Sequence, residues 1–337
     1  MKKSHSIVLA ITMIVGILLA ACGSPVTEAP APPAAKTEAP AAGPAEVKGM
    51  KVCYLLPTLG NPFLNNLGTT VTDLAAADGV EVMVYGAEEG GATTAYQQIE
   101  NCISQGVNAM IVMAPGSIEP LIPAVQEAKK QGIKVIGVPP GDLEPFDAIM
   151  HTDQLEDGTK VAQMACDFIN ARYPDANKVD VAVTGNESGE KQMNLRYQGY
   201  RTIKDCAKAN VVQYVDVATD SLAVGQSAVE NVLSAYPDTK VFIMQSSAHA
   251  QGGAEAIKAL PNVDFKDFAV FAGDMDPSVI PVVTSCEDPY KGFVAIGGDH
   301  LPQDTYALLK KILQGVEYPQ ITNDELVPTH CDFATLK

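Results

Sequence analysis

The sequence predicts an α/β fold with two doubly wound lobes, each built on a mostly parallel sheet covered by helices. From about Gly49 onward, short apolar runs alternate with longer amphipathic segments. The runs are almost continuously apolar, as in AMIVM at 109–113, which is typical of parallel strands buried on both faces. Their number exceeds what one sheet usually holds, and this indicates two lobes.

The first lobe opens with a strand, a loop and a helix. Residues 50–57 are rich in strand formers. Asn61-Pro62 then has the form of a helix N-cap followed by proline at the first helical position, and Gly79 ends the helix. Further strands are predicted at 80–85, 109–113 and 133–138, and a fifth strand is predicted to begin at 148–150.

A long amphipathic helix over residues 154–173 follows, and we place the first crossing between the lobes there. It stops at Tyr173-Pro174, because proline does not continue a helix. The alternation then restarts, which predicts a second lobe. Its strands are expected at 179–183, 211–217, 241–244, 269–272, 294–296 and about 326–333.

The N-terminus has the layout of an export signal. Lys2 and Lys3 precede an apolar run over residues 7–20, which is shorter than a typical membrane span. The following Leu19-Ala20-Ala21-Cys22 resembles the lipobox of bacterial lipoproteins, in which the cysteine is acylated before cleavage. We therefore expect a signal peptide at 1–21 and a lipid anchor at Cys22. An ordinary signal peptide with an incidental cysteine is the alternative.

Residues 22–48 are expected to form a tether between the anchor and the folded domain. Proline and alanine dominate this segment, and it has no apolar periodicity. Such a chain buries too little surface to offset its ordering entropy. Because proline-rich chains stay extended, the tether should be semi-rigid.

The net charge and the absence of known enzyme signatures exclude some classes of function. The net charge of −17 argues against nucleic acid and anionic lipid surfaces as partners. The enzyme signatures H-E-x-x-H, G-x-S-x-G and G-x-G-x-x-G are absent from the sequence. His330-Cys331-Asp332 is rich in metal-binding groups, but neighbours in a strand point to opposite faces. We therefore expect no enzyme activity, cofactor or metal.

Six cysteines remain once Cys22 is assigned to the lipid, and an even number in an exported chain permits disulfides. The second helix of a doubly wound lobe crosses back over the first strand, which predicts a Cys53–Cys102 pair. Lobe membership alone suggests the pairs Cys166–Cys206 and Cys286–Cys331. Six buried free thiols are the alternative.

Ligands of open α/β sheets bind outside the carboxyl ends of the strands. Small or hydrogen-bonding residues occupy the loops expected there, and such groups suit a hydroxylated or amino-bearing ligand. The same residues also suit helix capping, so either role is open for each. The loops are 58–61, 86–89, 114–117, 139–142, 185–188, 219–220, 245–247 and 273–274.

Residues 56–64, LPTLGNPFL, resemble the first strand, loop and helix start of periplasmic sugar-binding proteins of the ribose-binding type. In that family an Asn-Pro-Phe-aromatic segment contacts the sugar. The resemblance covers nearly all of residues 50–337. Further similar segments are 105–112 at the third strand, 196–200 around a ligand-binding arginine, 245–247, Gly273-Asp274 and the hinge segment 300–302.

The resemblance implies two Rossmann-like lobes joined by three crossings, the type I periplasmic binding fold, which closes on its ligand by hinge motion. We expect an N-terminal lobe of 50–153 plus about 301–325. The C-terminal lobe would be 154–300 plus about 326–337. Repressors of the lactose family share such lobes but carry an N-terminal DNA-binding unit, where an export signal is expected in this chain.

The resemblance also implies a set of ligand-binding residues between the lobes. Asp142 is added from its loop position alone, and pairing of Arg196 with Asp274 inside the protein is the alternative to ligand contact. The expected residues are Asn61, Phe63, Asp142, Arg196, Ser246, Asp274 and His300.

Two departures from the family bear on the ligand. Pro139-Pro140 stand where the ribose-type pattern has an Asp-Arg pair that grips sugar hydroxyls. The chain has no tryptophan, so Phe63 is the best-placed aromatic platform. The fold expectation is unaffected by these changes, but ribose is not the expected ligand.

The resulting functional hypothesis is the substrate-binding lipoprotein of an ABC importer, a monomer on the outer face of the cell membrane or in the periplasm. Its partners would be a small polar solute, sugar or sugar-like, and an ABC permease. The alternative is a sensor module that feeds a chemoreceptor or sensor kinase, because both roles use the same closed form. A lipoprotein enzyme is the third hypothesis, without a nucleophile and base to support it.

Overall fold

The structure is a computed structural model that describes residues 44–336 except 139–142, 188–190, 218–220, 275–276 and 298–299. The predicted signal at 1–21, Cys22, the Pro139-Pro140 pair and Asp142 lie outside the described residues. Within the part described, no helix is both long enough and apolar enough to cross a membrane.

Strands and helices alternate along the described chain. The strands are β1 (Lys51–Leu56), β2 (Glu81–Gly86), β3 (Ala109–Val112), β4 (Lys134–Gly137), β5 (Ala148–His151), β6 (Val179–Gly185), β7 (Ala209–Asp216), β8 (Val241–Met244), β9 (Ala269–Gly273), β10 (Tyr290–Ile296), β11 (Ile321–Asn323) and β12 (Leu326–His330). The helices are α1 (Pro62–Ala77), α2 (Gly91–Ser104), α3 (Ile122–Lys130), α4 (Gln154–Arg172), α5 (Lys191–Tyr200), α6 (Leu222–Ala235), α7 (Ser247–Lys258), α8 (Ile280–Thr284) and α9 (Leu301–Gln314).

The strands form two sheets with the same internal order. The first sheet runs β11-β5-β4-β3-β1-β2 and the second runs β12-β10-β9-β8-β6-β7. All neighbours pair in parallel except β12, which is antiparallel to β10. The central strands β3, β8 and β9 are buried along their whole length, as both-face coverage requires. The predicted α/β fold with two doubly wound lobes is confirmed.

Three chain crossings join the two sheets side by side. They follow β5, β10 and β11, and hydrogen bonds connect them. The Asp324 amide donates to the His151 carbonyl over 2.8 Å, and the Thr152 hydroxyl donates to the Asp324 carboxylate. The Gly297 amide donates to the Glu325 carbonyl over 2.6 Å. This is the three-crossing connection of the type I periplasmic binding fold.

The C-terminal strand prediction was partly wrong. The strand expected at 326–333 ends at His330, and a 3₁₀ turn follows over Phe333–Leu336. The short β11 was not predicted, because its three residues are partly exposed and show no apolar run. It joins the first sheet only by pairing with β5.

The cysteines are joined in the three pairs that the sequence suggested. Cys53–Cys102 connects β1 to α2, with the Cα atoms 6.3 Å apart. Cys166–Cys206 connects α4 to the turn after α5, with 5.8 Å between Cα atoms. Cys286–Cys331 fastens the C-terminal segment, with 5.2 Å between Cα atoms. All three spacings suit unforced disulfide geometry.

Two glycines let α4 and α5 approach closely, and this contact positions the candidate site described below. A Cβ atom on Gly199 would lie 2.5 Å from the Leu155 carbonyl oxygen and 2.7 Å from the Gly158 Cα atom. Both obstacles are backbone atoms, which do not move aside as a flexible side chain would. Any larger residue at position 199 must therefore push the helices apart.

We expect Gly199→Ala to lower the free energy of unfolding by about 1–3 kcal/mol, because overpacking outweighs the gain in helix propensity. Urea unfolding followed by circular dichroism measures this. Gln198→Ala, at the exposed neighbouring position of the same helix, is the matched control and should stay within about 0.5 kcal/mol of the parent. Equal stability of both variants would contradict the close helix contact.

Candidate functional site

The topology places candidate site residues at one edge of each sheet. In both sheets the order reverses beside the first strand of the lobe, so the switch points lie between β1 and β3 and between β6 and β8. Doubly wound sheets bind ligands outside the carboxyl ends of the strands at such points. Among the described residues at these edges, the loops after β1, β8 and β9 lead to the candidate site residues Asn61, Ser246 and Asp274.

In the first lobe, Asn61 caps α1. Its side-chain oxygen accepts hydrogen bonds from the Phe63 amide at 2.9 Å and the Leu64 amide at 3.3 Å. Asn61 therefore has the capping role that the sequence left open, although its amide nitrogen is not used by these bonds. Phe63 is half-buried and packs against the apolar core.

A carboxylate from the next loop shapes the segment before this cap. Glu88 accepts a hydrogen bond from the Thr58 hydroxyl at 2.6 Å and another from the Leu59 amide at 2.7 Å. These two donors lower the pKa of Glu88 below its ordinary value. The loop after β1 is thus held by the loop after β2, which orders the approach to Asn61.

In the second lobe, Arg196 is the centre of a buried polar cluster. It extends from α5 and is only 2% exposed. Its Nε donates to Gln154 Oε1 over 2.7 Å and lies 2.8 Å from Asp157 Oδ2. Its Nη1 donates to Asp274 Oδ2 over 3.2 Å and to the Gln245 carbonyl over 3.4 Å. The side chain is therefore shared between two carboxylates of the protein.

Asp157 lies beneath this cluster, with no exposed surface. The carboxylate forms an ion pair with Arg196, while the better-aligned Nε bond goes to Gln154. Gly273 leaves room for the pair, because a Cβ atom there would lie 2.6 Å from Asp157 Oδ2 and 2.9 Å from the Tyr200 hydroxyl. That hydroxyl accepts from the Gly273 amide and donates to the Gln245 carbonyl.

Asp274 is the more exposed carboxylate of the cluster, and Ser246 is buried next to Gln245 in the chain. Asp274 has a φ of +53°, a left-handed conformation in which aspartate is one of the more tolerated residues. Its Oδ1 accepts from the Ser247 amide at 2.8 Å, and its side chain is 21% exposed. Ser246 caps α7 by accepting from the His249 amide at 3.3 Å.

Burial changes the acidity of this cluster. Burial raises the pKa of Asp157 to about 6, although Arg196 and Lys160 oppose the shift. Burial alone lowers the pKa of Arg196, but Asp157, Tyr200 and Asp274 raise it above its ordinary value. The guanidinium is therefore always charged, and Asp157 is ionised at neutral pH and protonated in mild acid.

The structure pairs Arg196 with Asp274, which is the alternative to ligand contact that the sequence left open, and Ser246 follows Gln245, whose carbonyl accepts from Arg196. That these residues bind a ligand stays a prediction. Asn61 and Phe63 lie at the corresponding edge of the first sheet, and His300 is exposed just before α9 in the second crossing. Sequence reasoning missed Gln154 and Asp157, and it did not single out Tyr200 and Gln245 within the segments 196–200 and 245–247. A signal existed for Asp157, because it falls at helical spacing from the apolar residues Val161 and Ala165 and so on the buried face of α4.

The raised pKa of Asp157 predicts a pH-dependent stability. Below about pH 4 both the folded and the unfolded carboxyl are protonated, and the group adds no penalty. As the pH rises from 4 to 7, the carboxyl of the unfolded chain releases its proton before the buried carboxyl does. Ionisation then favours the unfolded state, so the free energy of unfolding falls as the pH rises through about 6. We expect the difference in unfolding free energy between the parent and Asp157→Asn to shift by up to about 3 kcal/mol across that range.

Urea unfolding at pH 4.5, 5.5, 6.5 and 7.5 measures this difference. Asp167→Asn, at an exposed position of the same helix, controls for the loss of one carboxylate. A parent–variant difference for Asp157→Asn that stays constant over the whole range would show that burial does not shift this group.

Several solved structures share the fold. One is an ABC transporter periplasmic solute binding protein from Actinobacillus succinogenes with bound D-allose, at 20% identity and a TM-score of 0.71, covering 83% of this chain and 97% of that chain. Another is an ABC transporter solute binding protein from Bacillus halodurans with bound myo-inositol, at 19% identity and a TM-score of 0.69, covering 83% and 95%. A third, from Burkholderia graminis in complex with D-arabinose, has 19% identity and a TM-score of 0.70, covering 85% and 96%.

Comparison with curated protein sequences finds no match. At these identities the solved structures show a shared fold rather than a shared ligand. The sequence model of one family, described as a periplasmic binding protein domain, matches residues 52–316. That match spans most of the chain and both sheets, and the chain therefore belongs to the periplasmic binding protein domain family.

Proposed function

We propose that this protein is the solute-capturing lipoprotein of an ABC importer, which binds a small polyhydroxylated solute between its two lobes. The observation that carries the proposal is the polar cluster of Arg196, Asp157 and Asp274 at the switch-point edge of the second sheet, in a chain of the periplasmic binding protein family. Buried polar groups at such an edge are expected where a ligand must be held.

The solutes named for the similar structures support the class of ligand. D-allose, myo-inositol and D-arabinose all present several hydroxyl groups on a compact ring or chain. The site of this chain offers matching groups, since Asp274 supplies a carboxylate and Asn61 an amide. Phe63 supplies an apolar surface for the face of a ring. Ser246, His300, Arg196 and Asp142 complete the proposed site.

The lobes would close on the solute by rotation about the three crossings. We place the lobe boundaries at 153/154, 300/301 and 325/326, so that residues 301–325 return to the first lobe. Hydrogen bonds from α9 to the residue that ends α1 support this division, because Tyr306 and Lys310 each donate to Asp78 over 2.6 Å. The closed form would be the one that the permease recognises, and the chain would act outside the cytoplasm as a monomer.

Asp274→Asn should weaken solute binding tenfold or more, because a charged hydrogen-bond acceptor is lost while the side-chain shape is kept. A thermal-shift screen of sugars, polyols, nucleosides and amino acids identifies the solute, and calorimetry then measures the affinity. Asp238→Asn is the matched control, since Asp238 is exposed before the amino end of β8. Equal affinity of Asp274→Asn and the parent would remove Asp274 from the site.

Cys22→Ala should release the protein from the membrane or block its processing, because the acylated residue is lost. Membrane fractionation and the mass of the mature N-terminus measure both effects. Cys53 is joined to Cys102 and is not a candidate for the anchor. A Cys22→Ala protein that matures and fractionates with the membrane like the parent would contradict the lipid anchor.

A further inference from the structure

The carboxyl ends of the parallel strands carry negative charge. Within two residues of these ends, the charged side chains among the described residues are all acidic: Glu88, Asp153, Glu187, Asp216, Asp274, Asp324 and Glu325. The sequence places no lysine or arginine in the loops that the structure does not describe. Lys191, the first residue of α5, is exposed and remains hydrated. An anionic solute would therefore meet little positive charge at this edge.

Arg196 does not make this edge positive, because its charge is neutralised by carboxylates of the protein. It pairs with Asp157 over 2.8 Å and with Asp274 over 3.2 Å. One positive and two negative charges leave the cluster with one excess negative charge. Lys160 also faces Asp157, but its Nζ lies 3.0 Å from Glu156. Tyr200, the other titratable group against the pair, stays neutral because burial raises its pKa.

The excess charge is accessible at Asp274. Arg196 and Asp157 are almost fully buried, whereas the Asp274 side chain is 21% exposed at the end of β9. Closure of the lobes would remove water from this carboxylate. An uncompensated charge in a dry cleft is costly, and a bound positive group relieves that cost.

We propose that the solute carries a protonated amino group as well as hydroxyl groups, and that this ammonium pairs with Asp274 when the lobes close. The inference rests on the proposed function. A neutral sugar would leave the excess charge uncompensated, and a sugar acid or phosphate would increase it. The cleft thus prefers an amine-bearing ring over the neutral ring, and the neutral ring over an acidic ring.

Asp157 gives the proposal a test that does not touch the solute. It has no exposed surface, so Asp157→Asn removes the excess charge without removing a group that can touch the solute. The ratio of amine affinity to neutral affinity should then fall. This ratio is the readout, because loss of the ion pair with Arg196 weakens the site for amine and neutral probes alike. The amine preference of the parent should likewise shrink as pH falls through about 6, because Asp157 is then protonated.

Calorimetry with the detergent-solubilised full chain tests this on matched triples. The probes are D-glucosamine, D-glucose and D-glucuronate; D-galactosamine, D-galactose and D-galacturonate; and an aminocyclitol, myo-inositol and an inositol phosphate. In at least one triple the amine should bind roughly tenfold or more tightly than the neutral member at pH 7.5. Asp157→Asn should reduce that ratio several-fold, and Asp167→Asn should leave it unchanged.

The outcomes separate the inference from the function. Tightest binding of a neutral or acidic member would overturn the inference and leave the proposed function standing. An amine preference that Asp157→Asn does not alter would also overturn it, because the excess charge would not be the cause. Failure of every probe to bind would overturn the proposed polyhydroxylated solute, and the inference with it.

Discussion

The ion pair between Arg196 and Asp157 is the interaction on which the candidate site depends. It connects α5 to α4 and, through Asp274 and the Gln245 carbonyl, reaches the loops after β9 and β8. Four separate segments are therefore fixed by one guanidinium. Removing one partner of such a buried pair usually costs 3–5 kcal/mol, because an unpaired charge stays behind.

Close backbone packing makes this pair possible. Gly158 and Gly199 bring α4 and α5 into contact, and Gly273 leaves space beside the Asp157 carboxylate and the Tyr200 hydroxyl. A side chain at any of these positions would separate groups that must lie within about 3 Å. The polar cluster thus depends on small residues that make no polar contact through a side chain.

The sequence predicted the lobes because continuous apolar runs and helix caps are local signals. The helix predicted at 154–173 is observed as Gln154–Arg172, and Asn61 caps α1 as its sequence suggests. The short β11 escaped prediction, because it is defined by pairing with β5 and by no pattern of its own. Local sequence patterns therefore predicted most helices and strands but not every pairing between strands.

The site was harder to predict than the fold. Family resemblance pointed to Arg196 and Asp274, but it did not reveal that Asp157 also forms an ion pair with the Arg196 guanidinium. That fact depends on α4 crossing α5 through Gly158, a contact between residues about 40 positions apart. The partners of a buried charge are set by tertiary packing, so resemblance alone identifies the arginine without showing what neutralises it.

A double-mutant cycle on Arg196→Met and Asp157→Asn, measured by urea unfolding of the solute-free protein, tests most directly whether Arg196 is held by carboxylates of the protein. We expect the double variant to be less destabilised than the sum of the single variants, with a coupling energy of about 0.5–3 kcal/mol. Additivity within about 0.5 kcal/mol would contradict the ion pair and, with it, the excess negative charge assigned to the cleft.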